Sequence, residues 1–235
     1  MFDTVLIANR GEIACRIIAT ARKLGIHTIA IYSDADSTAR HVRLADAAYR
    51  VGDSPATESY LHIDNVLEAA QKSGAEAIHP GYGFLSENAD FAQACVDKGV
   101  VFIGPPPDAV RLMGAKDQAR LLMNRAGVPV VPGCNDLNID LKVVLSEARK
   151  IGYPVIIKAA SGGGGRGMRI VDEELQLPEA LKSASRESMT AFANDKLLLE
   201  KFIQDPRHIE VQIFVDQYGN AVHMFERDCS IQRRY

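Results

Sequence analysis

Short apolar runs alternate with segments of helical period through the N-terminal half of the chain, and this alternation constrains the fold most strongly. The run at 4–8 is almost wholly apolar, as a strand buried on both faces requires. Helical spacing follows over 13–24, and strand-like runs return at 27–32, 75–78 and 100–103, with further helical segments at 63–72 and 91–98. Because parallel strands need long crossover connections, usually helices, the pattern predicts a parallel sheet covered by helices.

The sequence Gly-Pro-Pro-Pro at 104–107 interrupts this alternation and is the best candidate for a domain boundary. Further strands are predicted at 155–160, 168–171, 197–203, 209–215 and 221–227, and helices at 117–126, 141–151 and 173–193, the last interrupted near its start by Pro178. Apolar and polar residues alternate over 209–215, which predicts a strand with one buried face. The second half therefore has an antiparallel, α+β style, and two domains of different construction are expected.

Composition narrows the class of protein without deciding it. The chain has 235 residues, of which 47% are apolar and 24% charged, and its net charge is −3. This balance predicts a globular protein without a nucleic-acid partner, and no apolar run approaches the roughly 20 residues of a membrane span. The four cysteines are scattered and the first residues lack the pattern of a signal peptide, so we expect reduced thiols and a cytoplasmic location.

Glycine is concentrated between 162 and 167, in the sequence Ser-Gly-Gly-Gly-Gly-Arg-Gly at 161–167. Glycine backbone can approach an anion closely, because no Cβ stands in the way. The spacing matches GxGxxG, but a strand rather than a helix follows, and the Lys-Ser/Thr of a P-loop is missing. A strand, a glycine loop and a second strand favour a hairpin that closes over a nucleotide; a mobile hairpin tip or linker is the alternative.

Charged residues near this loop are candidates for nucleotide contacts. Lys158 lies inside an apolar strand just before the glycines, where its ammonium needs an anion, and Lys116 precedes a helix. Glu200 ends a strongly apolar run, where it is placed to hold adenine and ribose, and His208 follows a turn. Each residue also has an ordinary interpretation, as an exposed lysine, a solvated strand end or a structural histidine.

Two further segments carry polar groups in a suggestive order. The loop His-Pro-Gly-Tyr-Gly-Phe-Leu-Ser-Glu-Asn at 79–88 follows a strand, and ligands gather at such loops in α/β sheets, although a tight turn before a capped helix explains it almost as well. The segment 226–234 mixes charges of both signs, which suits an ion-pair network or an anionic site.

Taken together, four motifs resemble biotin carboxylase, an ATP-grasp enzyme: residues 7–14 (Ile-Ala-Asn-Arg-Gly-Glu-Ile-Ala), 79–88, 161–168 and 226–234. The resemblance covers essentially the whole chain in order. It implies ATP-dependent carboxylation of biotin on a carrier protein, with bicarbonate converted to carboxyphosphate. It also implies Mg²⁺ (or Mn²⁺) as cofactor. The partners it implies are ATP, bicarbonate, a biotin carboxyl carrier protein or domain, a carboxyltransferase component and a second copy of the chain in a homodimer.

The resemblance also assigns roles to individual residues. Lys116 and Lys158 match the phosphate-contacting lysines, and Gly164 and Gly165 match the lid glycines. The adenine-binding segment corresponds to Glu200, Lys201, Phe202 and Ile203, and further nucleotide-site positions to His208, Gln232 and Tyr235. The sequence departs from the family at Phe202, where Tyr is usual, and at Tyr235, where His is usual.

The family's metal-binding glutamates and its catalytic, bicarbonate-binding and biotin-binding residues correspond to positions beyond Tyr235. We therefore expect the N-terminal portion of a biotin carboxylase, with no catalytic or metal residue in this chain and little or no carboxylase activity alone. The expected organisation is a Rossmann-like parallel-sheet domain at 1–113, an ATP-grasp linker and glycine-rich lid at 114–203, and the start of an incomplete C-terminal ATP-grasp α+β subdomain at 204–235.

Three alternatives remain open at the level of sequence. Another ATP-grasp ligase, such as a carbamoyl-phosphate synthetase or a purine-pathway carboxylase, would share the lid and the lysines. A dinucleotide-dependent oxidoreductase would use the first domain, but the turn at 9–12 lacks GxGxxG. A folded interaction piece without activity is the third.

Overall fold

A computed structural model describes residues 2–114, 116–134, 137, 140–160, 168–192 and 195–231. The chain divides into two compact units, Met1–Gly114 and Ala115–Tyr235. Among the helices of the described residues, none combines the length and the apolar character that a membrane span requires.

The first unit is a doubly wound α/β fold. Its strands are β1 (Thr4–Ile7), β2 (His27–Ser33), β3 (Ala47–Gly52), β4 (Ala77–His79) and β5 (Val101–Phe102), all parallel in the order β3-β2-β1-β4-β5. Its helices are α1 (Gly11–Lys23), α2 (Arg40–Leu44), α3 (Ile63–Ser73), α4 (Ala89–Asp97) and α5 (Pro107–Gly114). The predicted parallel sheet is confirmed, whereas β3, α2 and α5 were not anticipated.

The sheet is buried on both faces, because alternate side chains of each strand meet different helices. Leu6 packs with Val66 of α3 and Phe91 of α4, whereas the next residue, Ile7, packs with Ile18 of α1. This arrangement explains why residues 4–8 are apolar without alternation.

A cation and two aromatic rings join the loops at the carboxyl ends of the strands. The Arg10 guanidinium lies 2.9 Å from an Asp36 carboxylate oxygen and over the rings of Tyr60 and Phe84, at 5.2 and 5.5 Å from their centroids. The two rings stack at 5.1 Å, and the Tyr60 hydroxyl donates to Asp36 at 2.7 Å. Residues that follow β1, β2 and β4 are thereby held together with Tyr60, which precedes α3.

The second unit consists of helices and two antiparallel sheets. Its helices are α6 (Lys116–Arg125), α7 (Leu141–Ile151) and α8 (Leu177–Phe192). The strands β6 (Gly133–Cys134), β7 (Val155–Ala159), β8 (Arg169–Val171) and β9 (Leu197–Lys201) form a sheet in the order β6-β9-β7-β8, and β10 (Ile209–Val215) pairs with β11 (Ala221–Asp228). Pro178 lies in the first turn of α8, where its missing N–H costs no helical hydrogen bond.

The prediction of a buried face on 209–215 is wrong for the structure described. Ile209, Val211 and Ile213 are 47%, 52% and 61% exposed, because the β10–β11 sheet has no layer of described residues against it. Strand alternation reports which side chains share a face, and only a covering layer makes that face buried. The predicted strand 197–203 is also shorter, ending at Lys201.

We predict that Gly52→Ala destabilises the first unit by about 3 kcal/mol or more. Gly52 has φ +144°, and a Cβ there would lie 1.9 Å from the Glu58 carbonyl oxygen. Gly74→Ala is the matched control, because Gly74 also has positive φ (+66°) but open space around it, and about 1–2 kcal/mol is expected from strain alone. Urea unfolding followed by circular dichroism measures both, and equal losses would contradict the steric argument.

We also predict that Asp36 contributes stability that is lost in acid. Burial opposes ionisation of Asp36, but hydrogen bonds from Tyr60 and Arg10 outweigh it and lower the pKa of this carboxyl below the ordinary 3.8. Its contribution is therefore complete above that value and disappears as the pH falls below it. The free energy of unfolding of Asp36→Asn should change less over this acid range than that of the wild type. The variant Asp90→Asn, at a side chain 87% exposed, should follow the wild-type curve. Parallel curves for wild type and Asp36→Asn would refute the prediction.

Candidate functional site

The β6-β9-β7-β8 sheet packs one face on α7 and α8, and its other face carries Lys158 and Glu200 beside Ile156 and Leu198, which are also buried. Val155 and Ile157 of β7 and Leu199 of β9 are fully buried in a cluster with residues of α7 and α8. The register pairs Ile156 with Glu200 and Lys158 with Leu198, so Lys158 and Glu200 are diagonal neighbours on the opposite face. The sequence thus directs an apolar set to the helices and a charged pair away from them.

Lys158 and Glu200 form an ion pair on this second face. The Lys158 ammonium donates to a Glu200 carboxylate oxygen at 2.7 Å, and the two side chains are 32% and 18% exposed. Lys158 stands between Ile157 and Ala159, both buried, so its ammonium reaches an anion only on its own face. Lys158 thus has an anionic partner within the chain, Glu200, and its predicted contact with phosphate stays a prediction.

Arg120 of α6 is a third charged member that sequence reasoning missed. One of its guanidinium nitrogens, Nη1, lies 3.9 Å from the second oxygen of Glu200, and the side chain is 15% exposed. Its Nη2 donates to the Val131 carbonyl at 2.7 Å. A Cβ on Gly133 would lie 2.6 Å from the guanidinium and 2.3 Å from the Leu199 carbonyl oxygen, so Gly133 leaves room for this approach. Its position four residues after Lys116 was the available signal, but only the fold places it beside Glu200.

Lys201 and Phe202 have their polar groups engaged elsewhere. The Lys201 ammonium donates to the Gly152 and Tyr153 carbonyls, both at 2.9 Å, where α7 ends. The Lys201 and Phe202 N–H groups donate to the Pro132 and Pro154 carbonyls at 2.8 and 3.1 Å. The Lys201 side chain therefore supports the sheet at the end of α7, and Glu200 provides the charge on the other face.

The remaining predicted residues fall in two groups. Ile203 is 49% exposed just beyond β9, and His208, also exposed, accepts at its carbonyl from Cys229 N–H beside the β10–β11 sheet. Gly164, Gly165, Gln232 and Tyr235 lie outside the described residues, and Lys116 is described only as the first residue of α6. On either side of the glycine segment, β7 and β8 pair antiparallel, as predicted for a strand, loop and strand.

The cations of this partly buried face suit a ligand that carries phosphate. Cations on a partly buried surface attract phosphate oxygens, and a carboxylate oxygen accepts hydrogen bonds from an amino group. Within the described ranges, no group of three or more His, Cys, Asp or Glu side chains is placed to hold a metal ion.

Comparison with known proteins gives two family matches that follow the two units. Residues 1–110 match the biotin carboxylase N-terminal domain, and residues 115–235 match the ATP binding domain of the carbamoyl-phosphate synthase L chain.

Relatives of known name agree over nearly the whole chain. The alpha subunit of mitochondrial methylcrotonoyl-CoA carboxylase from Oryza sativa is 57% identical over 233 residues, which are 99% of this chain and 32% of that protein. Biotin carboxylase 1 of Bacillus subtilis is 51% identical over 234 residues, which are 100% of this chain and 52% of that protein. The chain thus spans about half the length of one relative and a third of the other.

A solved structure has the same fold. The biotin carboxylase domain dimer of Hydrogenobacter thermophilus 2-oxoglutarate carboxylase, in complex with MgADP, ADP and bicarbonate, superposes with a TM-score of 0.93 at 51% identity. The match covers 100% of this chain and 51% of that one. Fold, motif order and sequence identity agree, and the chain belongs to the biotin carboxylase family.

Proposed function

We propose that the chain binds ATP on the charged face of its antiparallel sheet, and that the enzyme to which it contributes uses ATP and bicarbonate to carboxylate biotin. The observation that carries this proposal is the partly buried cluster of Lys158, Glu200 and Arg120 beside the ends of the strands that flank the glycine segment. Among the described residues of this cluster, two cations flank one carboxylate, and the ammonium of Lys158 can also bind a phosphate oxygen.

The proposed reaction overcomes the low reactivity of bicarbonate. A bicarbonate oxygen attacks the γ-phosphorus of ATP, the bond to ADP breaks, and carboxyphosphate forms. Carboxyphosphate then releases phosphate and CO2. A ureido nitrogen of biotin captures the CO2 as its proton passes to the released phosphate. Lys158 would neutralise phosphate charge, including the charge that develops on the leaving ADP, and Glu200 would accept from the amino group of adenine.

The site is proposed to extend to the other residues that match family positions: Lys116, Gly164, Gly165, Lys201, Phe202, Ile203, His208, Gln232 and Tyr235. Lys201 and Phe202 would act through their backbone carbonyls, because the Lys201 ammonium and the N–H groups of both residues already donate to other carbonyls. Mg²⁺ (or Mn²⁺) would arrive with the nucleotide and neutralise phosphate charge. The complex of the Hydrogenobacter thermophilus relative with MgADP and bicarbonate supports this ligand set.

The proposed partners follow from the carboxylation of a tethered biotin. They are a biotin carboxyl carrier protein or domain, a carboxyltransferase component and a second copy of the chain, and the dimer of the Hydrogenobacter thermophilus domain supports the last. We propose that the chain is organised as domains at 1–113, 114–203 and 204–235. We also propose a cytoplasmic location, although the Oryza sativa relative is mitochondrial by name.

We predict that Lys158→Ala weakens Mg-ATP binding by about 10- to 100-fold, because a hydrogen bond from a charged group contributes about 1.5–3 kcal/mol. Titration calorimetry of the chain with Mg-ATP measures the effect. Lys182→Ala, at an exposed lysine of α8, is the control and should bind as the wild type does. Equal affinity of the two variants would remove Lys158 from the site.

We predict that the full-length polypeptide hydrolyses ATP in a reaction that needs bicarbonate and is stimulated by free biotin, since biotin consumes the activated carboxyl group. Phosphate release with each component omitted in turn is the measurement. Bicarbonate dependence without any response to biotin would instead favour a carboxyphosphate-forming ligase of the carbamoyl-phosphate synthase type, whose ATP binding domain model also matches this chain.

A further inference from the structure

We infer that Arg120 is a positioning residue of the nucleotide site, which acts through Glu200. The inference rests on the proposed function, because it assigns Glu200 to the adenine. Arg120 lies on the helix α6, outside the sheet that carries Lys158 and Glu200.

The two carboxylate oxygens of Glu200 meet different cations. One accepts from the Lys158 ammonium at 2.7 Å, and the other lies 3.9 Å from the Arg120 guanidinium. Arg120 is 15% exposed and Glu200 18%, so water contributes less to both than it would on an open surface. A carboxylate in this position is stabilised by charge on both sides, and removal of one cation leaves the other to fix its orientation alone.

The guanidinium is itself fixed by backbone. Its Nη2 donates to the Val131 carbonyl at 2.7 Å, two residues before Gly133 of β6. At Gly133 any larger residue would place a Cβ 2.6 Å from Nη1, so the close approach depends on glycine. A planar group with several donors can hold a carbonyl and face a carboxylate at the same time, which a single ammonium does less well.

In this arrangement Lys158 can bind phosphate while Arg120 orients the Glu200 carboxylate. If phosphate oxygens compete for the Lys158 ammonium, the carboxylate of Glu200 keeps a positive neighbour in Arg120, whose own anchor is backbone. Glu200 then stays ionised and oriented as an acceptor for the amino group of the base. At C6, adenine carries an amino group, which donates, and guanine carries a carbonyl oxygen, which accepts. The orientation of the Glu200 carboxylate therefore also favours ATP over GTP.

The experiment measures steady-state kinetics of the full-length polypeptide with Arg120→Gln and Arg120→Lys. We expect Arg120→Gln to raise the KM for ATP about tenfold, to reduce the preference for ATP over GTP, and to leave kcat within about twofold. Arg120→Lys keeps a charge near Glu200 and should recover part of the loss. Arg125→Gln, at an exposed arginine of the same helix, is the matched control and should leave KM unchanged.

A double-mutant cycle with Glu200→Gln separates positioning from general support of the fold. If Arg120 acts through Glu200, Arg120→Gln should raise the KM for ATP by less than about twofold when Glu200 is already Gln. The same tenfold rise in both backgrounds, or an unchanged KM in the wild-type background, would overturn the inference. If Arg120→Gln does not fold, Arg120→Lys takes its place. Its smaller rise in the KM for ATP should then occur in the wild-type background and be absent in the Glu200→Gln background. Failure of the wild type itself to bind Mg-ATP would refute the proposed function, a result that the Arg120 variants do not produce.

Discussion

The second unit depends on a single electrostatic constraint, the need of a strand lysine for an anion. Lys158 stands between two buried residues in a strand that is paired on both sides, by β8 and by β9. The strand fixes the position of the Lys158 backbone, and the ammonium of this 32% exposed side chain lies 2.7 Å from Glu200. The partner is supplied across β9, and a slip of one residue between β7 and β9 would turn Glu200 toward the face that packs on α7 and α8. Charge pairing and hydrophobic packing thus select the same register.

The two units use their sheets differently. In the first unit helices cover both faces, and its polar groups gather at the carboxyl ends of the strands, where Asn9 donates to the Pro80 and Tyr82 carbonyls at 2.8 Å each. In the second unit one face of the sheet packs on α7 and α8, and the other holds Lys158 and Glu200 next to the buried Ile156 and Leu198. A sheet anchored from one side holds such groups on paired strands, which position them more firmly than loops do.

Local patterns predicted much of this fold, because strands and helices differ in the period of their apolar residues and glycine or proline marks their ends. Lys158 and Glu200 were identifiable for the same reason, as charges that interrupt apolar runs. Arg120 was not, since its role requires α6 to lie beside Gly133, and such an approach leaves no periodic signal. The error at 209–215 has a related cause, because alternation predicts a shared face but not the layer that covers it. The Lys201 side chain similarly donates to carbonyls at the end of α7, which is distant in sequence.

The pairing of β7 with β8 supports the proposal that the glycine segment and the cluster of Lys158, Glu200 and Arg120 belong to one site. Because β7 and β8 are antiparallel neighbours with Ile157 opposite Arg169, the chain that connects them leaves the sheet just beyond Lys158 and returns just before Arg169. Glu200 is opposite Ile156, on the same stretch of sheet. Glycine-rich backbone, whose N–H groups suit phosphate, is therefore tethered within a few residues of the Lys158 ammonium. An adenine near Glu200 would then have its phosphates directed along β7 toward that segment, so one strand register sets the order of base and phosphates.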